Sequence, residues 1–104
     1  MKVLIDEGLP RFLIRVFPGH QVESVEDAGW SGMENGELLN RAELSFDLFL
    51  TEDKNLRYQQ NLVRRGIAVL ELPGNTLSVV KALVPKILEA MTRIKPGDYI
   101  QVTA

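Results

Sequence analysis

Short apolar runs alternate along the chain with longer stretches whose apolar positions recur at helical spacing. Val3-Leu4-Ile5 opens it as a β-branched run and predicts a first strand from Lys2 to Asp6. Leu9, Phe12, Leu13, Val16 and Phe17 then fall on one helical face, starting at Pro10 and ending at Pro18-Gly19. His20 to Val25 alternates and predicts a second strand. Glu26 to Met33 has glycines and no period, so it reads as a loop. Asn35 is placed to cap a helix with Leu38, Leu39 and Ala42 on its inner face. Asp47 to Thr51 predicts strand three, Leu56 to Arg65 a helix stopped by Gly66, and Ile67 to Leu72 strand four. Thr76 or Ser78 caps a long helix with Val79, Val80, Leu83, Ile87, Leu88 and Met91 inside and Pro85 as a site for a kink. Gly97 ends that segment, and Tyr99 to Thr103 alternates as a more polar edge strand.

Strands separated by helix-length segments predict βαβ units and a mostly parallel sheet of about five strands, covered on both faces. Strand four, nearly continuous in apolar residues, fits a buried parallel strand. Residues 1–104 read as a single domain, since a chain this long supports one ordinary core. Asp6 interrupts the opening apolar run too early for a signal peptide, and no run is long enough for a membrane span. A soluble cytoplasmic protein is the expectation.

Composition narrows the chemistry. The chain has no cysteine, which excludes disulfides, cysteine-ligated zinc, iron–sulfur centres and thiol catalysis. Its single histidine argues against His-rich metal sites and Ser-His-Asp triads. A net charge of −2 argues against nucleic-acid binding by bulk positive charge, but leaves room for a local basic patch or a metal. What remains is carboxylates, a donor set that suits Mg²⁺ or Mn²⁺.

In an open parallel sheet, ligands bind beyond the carboxyl ends of the strands. Strand one ends in Asp6-Glu7 and strand three in Thr51-Glu52-Asp53-Lys54-Asn55. If these strands are neighbours, Asp6 and Asp53 converge, and a divalent cation would offset their mutual repulsion. Such an ion could activate water for phosphodiester hydrolysis. The simpler reading makes Glu52 or Asp53 a helix cap. Glu37, early on the second helix, is either a third acid of the site or an exposed partner of Arg41 at i,i+4. Asn35 is most simply a helix cap, whereas Asn55 offers a neutral oxygen for a metal or a water-bridged phosphate, or is a turn residue.

The motifs in order resemble a family of small PIN-like proteins related to VapC-type toxin nucleases. Leu4-Ile5-Asp6-Glu7-Gly8-Leu9-Pro10 resembles its LIDENLP-type opening. Gly19-His20-Gln21-Val22 resembles a GH-x-V element, and Gly29-Trp30-Ser31-Gly32 with Asn35-Gly36-Glu37-Leu38-Leu39 resembles a glycine loop and helix start. Phe49 to Leu56 resembles an L-x-T-x-D-x-D-F segment; Gly66 to Leu72 and Gly97 to Val102 also fit. The resemblance covers the whole chain and implies a three-layer α/β/α PIN-like fold. It implies Mg²⁺- or Mn²⁺-dependent cleavage of RNA, as the toxin held by an antitoxin protein, and pairing as a homodimer. Carried over, Asp6, Glu37 and Asp53 become the catalytic acids and metal ligands, joined by Asn55 as a ligand, with Glu7, Asn35 and Thr51 behind them. Asn35 and Asn55 stand where the pattern has aspartates, which removes charge and lowers the expected metal affinity.

Lys54 and Arg57, beside Asp53, are the expected contacts to RNA phosphates. Arg11, Arg15, Arg64 and Arg65 read as solvated helix faces, and His20 as structural. Trp30 and Tyr58 either stack on bases or cover the core. Two other readings compete. One is a silent PIN-like protein that only binds RNA or a partner. The other is a receiver-like phosphoacceptor, with Asp6-Glu7 on Mg²⁺, Asp53 phosphorylated and Lys95-Pro96 as its late lysine and proline.

Overall fold

The computed structural model describes residues 1–59 and 61–103, with the side chains of residues 58 and 59 outside that description. Strands β1 (Lys2–Ile5), β2 (Gln21–Ser24), β3 (Leu48–Thr51), β4 (Ala68–Glu71) and β5 (Tyr99–Gln101) form one sheet in the order β2-β1-β3-β4-β5. Every adjacent pair is parallel. The protein is an α/β domain with a five-stranded parallel sheet. Strand order reverses between β1 and β3, so the crevice of this doubly wound arrangement opens between their carboxyl ends.

Pleating sorts the strand side chains into two cores. Val3, Ile5, Leu48, Leu50, Ala68 and Leu70 face helix α3 (Leu77–Met91) and the segment around Leu9, Leu13 and Phe17. Leu4, Phe49 and Val69 face helix α1 (Asn35–Ala42) and the short α2 (Leu56–Gln59). Leu4, Phe49, Val69 and Tyr99 are register partners across the sheet. Two residues on, the same face carries Asp6, Thr51, Glu71 and Gln101, because side chains repeat with a period of two.

Several elements differ from the expected ones. Arg11–Arg15 is a 3-10 helix, not an α-helix. Leu13 is buried within this turn, and Leu9 and Phe17 are buried on either side of it. Glu34, not Asn35, occupies the cap position of α1, and it makes no side-chain cap bond. Helix α2 is a single turn instead of reaching Arg65; Gln60 lies outside the described residues. Beyond it, the Asn61 side chain accepts the N–H of Val63 at 3.3 Å, a local turn that competes with the helix. Val79 is exposed at the edge of the α3 stripe, whereas Val80, Leu83, Ile87 and Met91 are buried as expected and Leu88 packs partly buried against them. Thr76 sits at the α3 cap position without a side-chain cap bond, and Pro85 lies within the helix. The last strand is the short parallel edge β5.

Gly97 shows where the chain permits only glycine. It has φ +86°, and a Cβ there would stand 2.8 Å from the Val63 carbonyl oxygen. Among the described residues, no helix is long and apolar enough to cross a membrane.

Candidate functional site

Asp6 and Asp53 are brought together by the hydroxyl of Thr51. Thr51 ends β3 and is fully buried. Its Oγ1 donates to Asp6 Oδ2 at 2.6 Å and accepts the Asp53 N–H at 3.0 Å. The second Asp6 oxygen accepts the N–H of Glu7 at 2.8 Å. Asp53 Oδ1 accepts the N–H of Asn55 at 2.9 Å, and Asp53 Oδ2 accepts from Asn35 Nδ2 at 2.7 Å. Side chains from β1, β3 and the start of α1 thus form one continuous hydrogen-bonded chain. Asn35 is not the cap: it is the first residue inside α1, and its Nδ2 donates to Asp53.

Burial pushes the Asp6 carboxyl above its ordinary value, since its charged form loses water. The Thr51 and Glu7 hydrogen bonds pull it back, while the charges of Glu7 and Asp53 add to the rise. Asp6 therefore feels Asp53 as a like charge, the condition under which a cation between them is favoured.

The remaining expected residues are spread around this pair. Glu37 does not join it: its exposed carboxylate pairs with Arg41 at 3.4 Å on the outer face of α1. That position follows from helix geometry, since Leu38 and Leu39 take the inward stripe. Glu7 uses its carboxylate to accept the N–H of Gly32 at 2.6 Å, tying the loop after β1 to the glycine loop. Asn55 supports Asp53 through its backbone, and it lines a cavity with Lys54, Arg57 and Glu71. Among the described residues, no group of at least three acidic or histidine side chains is arranged to hold a metal.

Lys54 and Arg57 line one cavity with Glu71, and Lys54 Nζ reaches the Pro73 carbonyl at 3.1 Å. Arg11 pairs with Asp27 at 3.1 Å, and Arg65 with Glu43 at 2.6 Å. Arg15 and Arg64 are exposed. Trp30 packs edge-on against Phe46, with ring centroids 6.0 Å apart, and covers the core on the α1 face. The Tyr58 side chain lies outside the described residues. His20 Nδ1 meets the Met1 amino group at 3.0 Å, on the opposite end of β1 from the acids. Lys95 likewise precedes β5, at the amino-terminal end of the parallel sheet, so the lysine required by a receiver is on the wrong side of it.

Sequence reasoning missed Glu71. This last residue of β4 is only 5% exposed, yet it carries a carboxylate beside Thr51 in register. The Tyr99 hydroxyl donates to one Glu71 oxygen, and Gln101 Nε2 donates to the other at 3.1 Å. Burial, with the hydrogen bond to Glu71 and its charge, pushes the Tyr99 hydroxyl well above its ordinary value. Asp53 adds to that rise and Arg57 opposes it, so both groups act on the same spot. The signal was present in the sequence as one acid inside an otherwise apolar run.

No family model, curated protein or solved structure matches the chain.

Proposed function

We propose that the protein is a metal-dependent endoribonuclease of PIN-like type, acting in the cytoplasm as a toxin held by an antitoxin protein. The observation that carries this reading is the meeting of Asp6 and Asp53 across the Thr51 hydroxyl, in the crevice where the strand order reverses. The donor set fits Mg²⁺ or Mn²⁺, which typically bind through one or two carboxylates and leave other positions to water and phosphate. Asp6 and Asp53 would hold the ion, which would supply charge for the scissile phosphate and acidify a water. Glu37, paired with Arg41, is left out of that set.

The chain's own residues then have distinct tasks. Thr51 fixes the spacing of the two acids, and Asn35 keeps one Asp53 oxygen oriented. Lys54 and Arg57, on the Asp53 side, offer positive charge for the RNA backbone, which locates the strand without reading its sequence. As a test, RNA is incubated with the purified protein and Mg²⁺ or Mn²⁺, beside Asp6→Asn and Asp53→Asn. Cleavage by the wild type and its loss in both variants is the expected result; undiminished cleavage in either would overturn it.

A second reading is favoured by one specific observation. All four carboxylate oxygens of Asp6 and Asp53 already accept hydrogen bonds within the protein. A PIN-like domain that binds RNA or a partner without cutting would have such a self-satisfied pair. Calorimetric titration separates the two, because only the nuclease requires Mg²⁺ or Mn²⁺ to bind.

A further inference from the structure

A cavity of about 380 Å³, lined in part by Asn55, whose N–H donates to Asp53, lies at the carboxyl ends of β3, β4 and β5. It is large enough for a small-molecule ligand. Its lining unites two kinds of recognition group. Lys54 and Arg57 supply positive charge on the Asp53 side, and Lys54 is held there by its bond to the Pro73 carbonyl. Glu71 and Gln101 supply a buried carboxylate and an amide. Tyr99 and Gln101 each donate one hydrogen bond, to different oxygens of Glu71. A carboxylate oxygen has two lone-pair sites, so each retains capacity for a further donor.

A matching ligand must present an anion to one end and adjacent N–H donors to the other. Nucleotides do both, and single-stranded bases are read on their Watson–Crick edges. Guanine alone places two donors side by side there, N1–H and the N2 amino group. Uracil flanks its single N–H with two carbonyl oxygens, which a carboxylate repels. Adenine and cytosine each set an amino group beside a ring acceptor. We infer that this cavity is a guanine-selective subsite, in which Glu71 accepts from the base and Lys54 and Arg57 hold the adjoining phosphate. The assignment rests on the nuclease reading for its substrate class, and it names the nucleotide seated next to the bond to be cut.

The test uses the full chain without metal, titrated with GMP, AMP, CMP and UMP and followed by backbone amide shifts. GMP is expected to bind roughly tenfold more tightly than UMP, the scale of a bidentate base contact. The shifts should centre on residues 54–57, 71 and 101. Glu71→Gln should reduce the preference to about twofold or less, as one acceptor becomes a donor. Lys54→Ala should weaken GMP several-fold and leave guanosine unchanged, which keeps the test readable if Glu71→Gln fails to fold. Equal affinity for the four nucleotides, or shifts centred elsewhere, would overturn the assignment. The same titration on Asp6→Asn separates the two proposals: a guanine preference in a protein that cuts no RNA leaves the subsite standing, and cleavage without that preference removes the subsite alone.

Discussion

Thr51→Val tests the junction on which the site depends. The substitution keeps the shape of a fully buried side chain and deletes only its hydroxyl. Two interactions go with it: the 2.6 Å bond to the Asp6 carboxylate and the 3.0 Å bond from the Asp53 N–H. A hydrogen bond to a charged group is worth about 1.5–3 kcal/mol, and a buried N–H without a partner costs about 1 kcal/mol more. The new methyl returns at most about 1 kcal/mol. The net loss is about 1.5–3 kcal/mol, or a fall in Tm of roughly 7–14 °C for a domain of this size.

The same change has a pH signature. The Thr51 bond lowers the Asp6 pKa, so losing it moves an already raised value further up. An acid whose folded pKa lies above its unfolded one supports folding at low pH and loses that support as pH rises through the folded value. The deficit of Thr51→Val should therefore be larger near pH 7 than near pH 4. Urea unfolding at both pH values, with carbon-detected titration of Asp6, measures the two effects together. Thr51→Ser, which keeps the hydroxyl, should restore the Asp6 titration. A variant within about 0.5 kcal/mol of wild type at pH 7, with Asp6 unmoved, would refute the junction, since losses that small are ordinary for surface changes.

Three further outcomes are expected. Asp6→Asn removes the group that burial raises, so wild-type stability should fall relative to the variant as pH climbs from about 4 to 7, read from urea midpoints. Glu37→Gln should leave Mg²⁺ affinity and RNA cleavage unchanged and cost under about 0.5 kcal/mol, because its exposed pair with Arg41 is a weak one; a loss of metal binding by calorimetry would return Glu37 to the site. Gly97→Ala should cost about 1–3 kcal/mol in guanidinium unfolding, from the positive φ and the collision with the Val63 carbonyl; a neutral result would mean that the 62–63 loop yields.

The sheet was legible in the sequence because buried parallel strands read as apolar runs, and the runs ending at Ile5, Thr51 and Leu72 stand out. Asp6 and Asp53 were legible for the same reason, as acids following such runs. Whether they meet depends on β1 and β3 being neighbours, a property of strand order that local pattern does not encode. Asn35 was misread as a cap because its partner Asp53 is 18 residues away, beyond any capping box. Glu37 was legible in one of its two readings, the exposed i,i+4 pair with Arg41: one position from a buried Leu38, it turns about 100° away and faces solvent.

Glu71 shows why burial and chemistry have to be read together. In register, Leu4, Phe49, Val69 and Tyr99 form a row across β1, β3, β4 and β5 on the α1 face. Moving two residues toward the carboxyl ends turns that row into Asp6, Thr51, Glu71 and Gln101. A one-residue slip in any strand would turn its polar member to the α3 face, among Leu83 and Ile87. The packing of Phe49 and Val69 thus sets the register that aligns the polar row. Glu71 also follows Leu70 and precedes Leu72, both fully buried on the other face. Its carboxylate is tolerated only because Tyr99 and Gln101 arrive in register to donate to it. An acid in the middle of an apolar strand, matched by donors on the neighbouring strand, marks the end of the core and the beginning of the site.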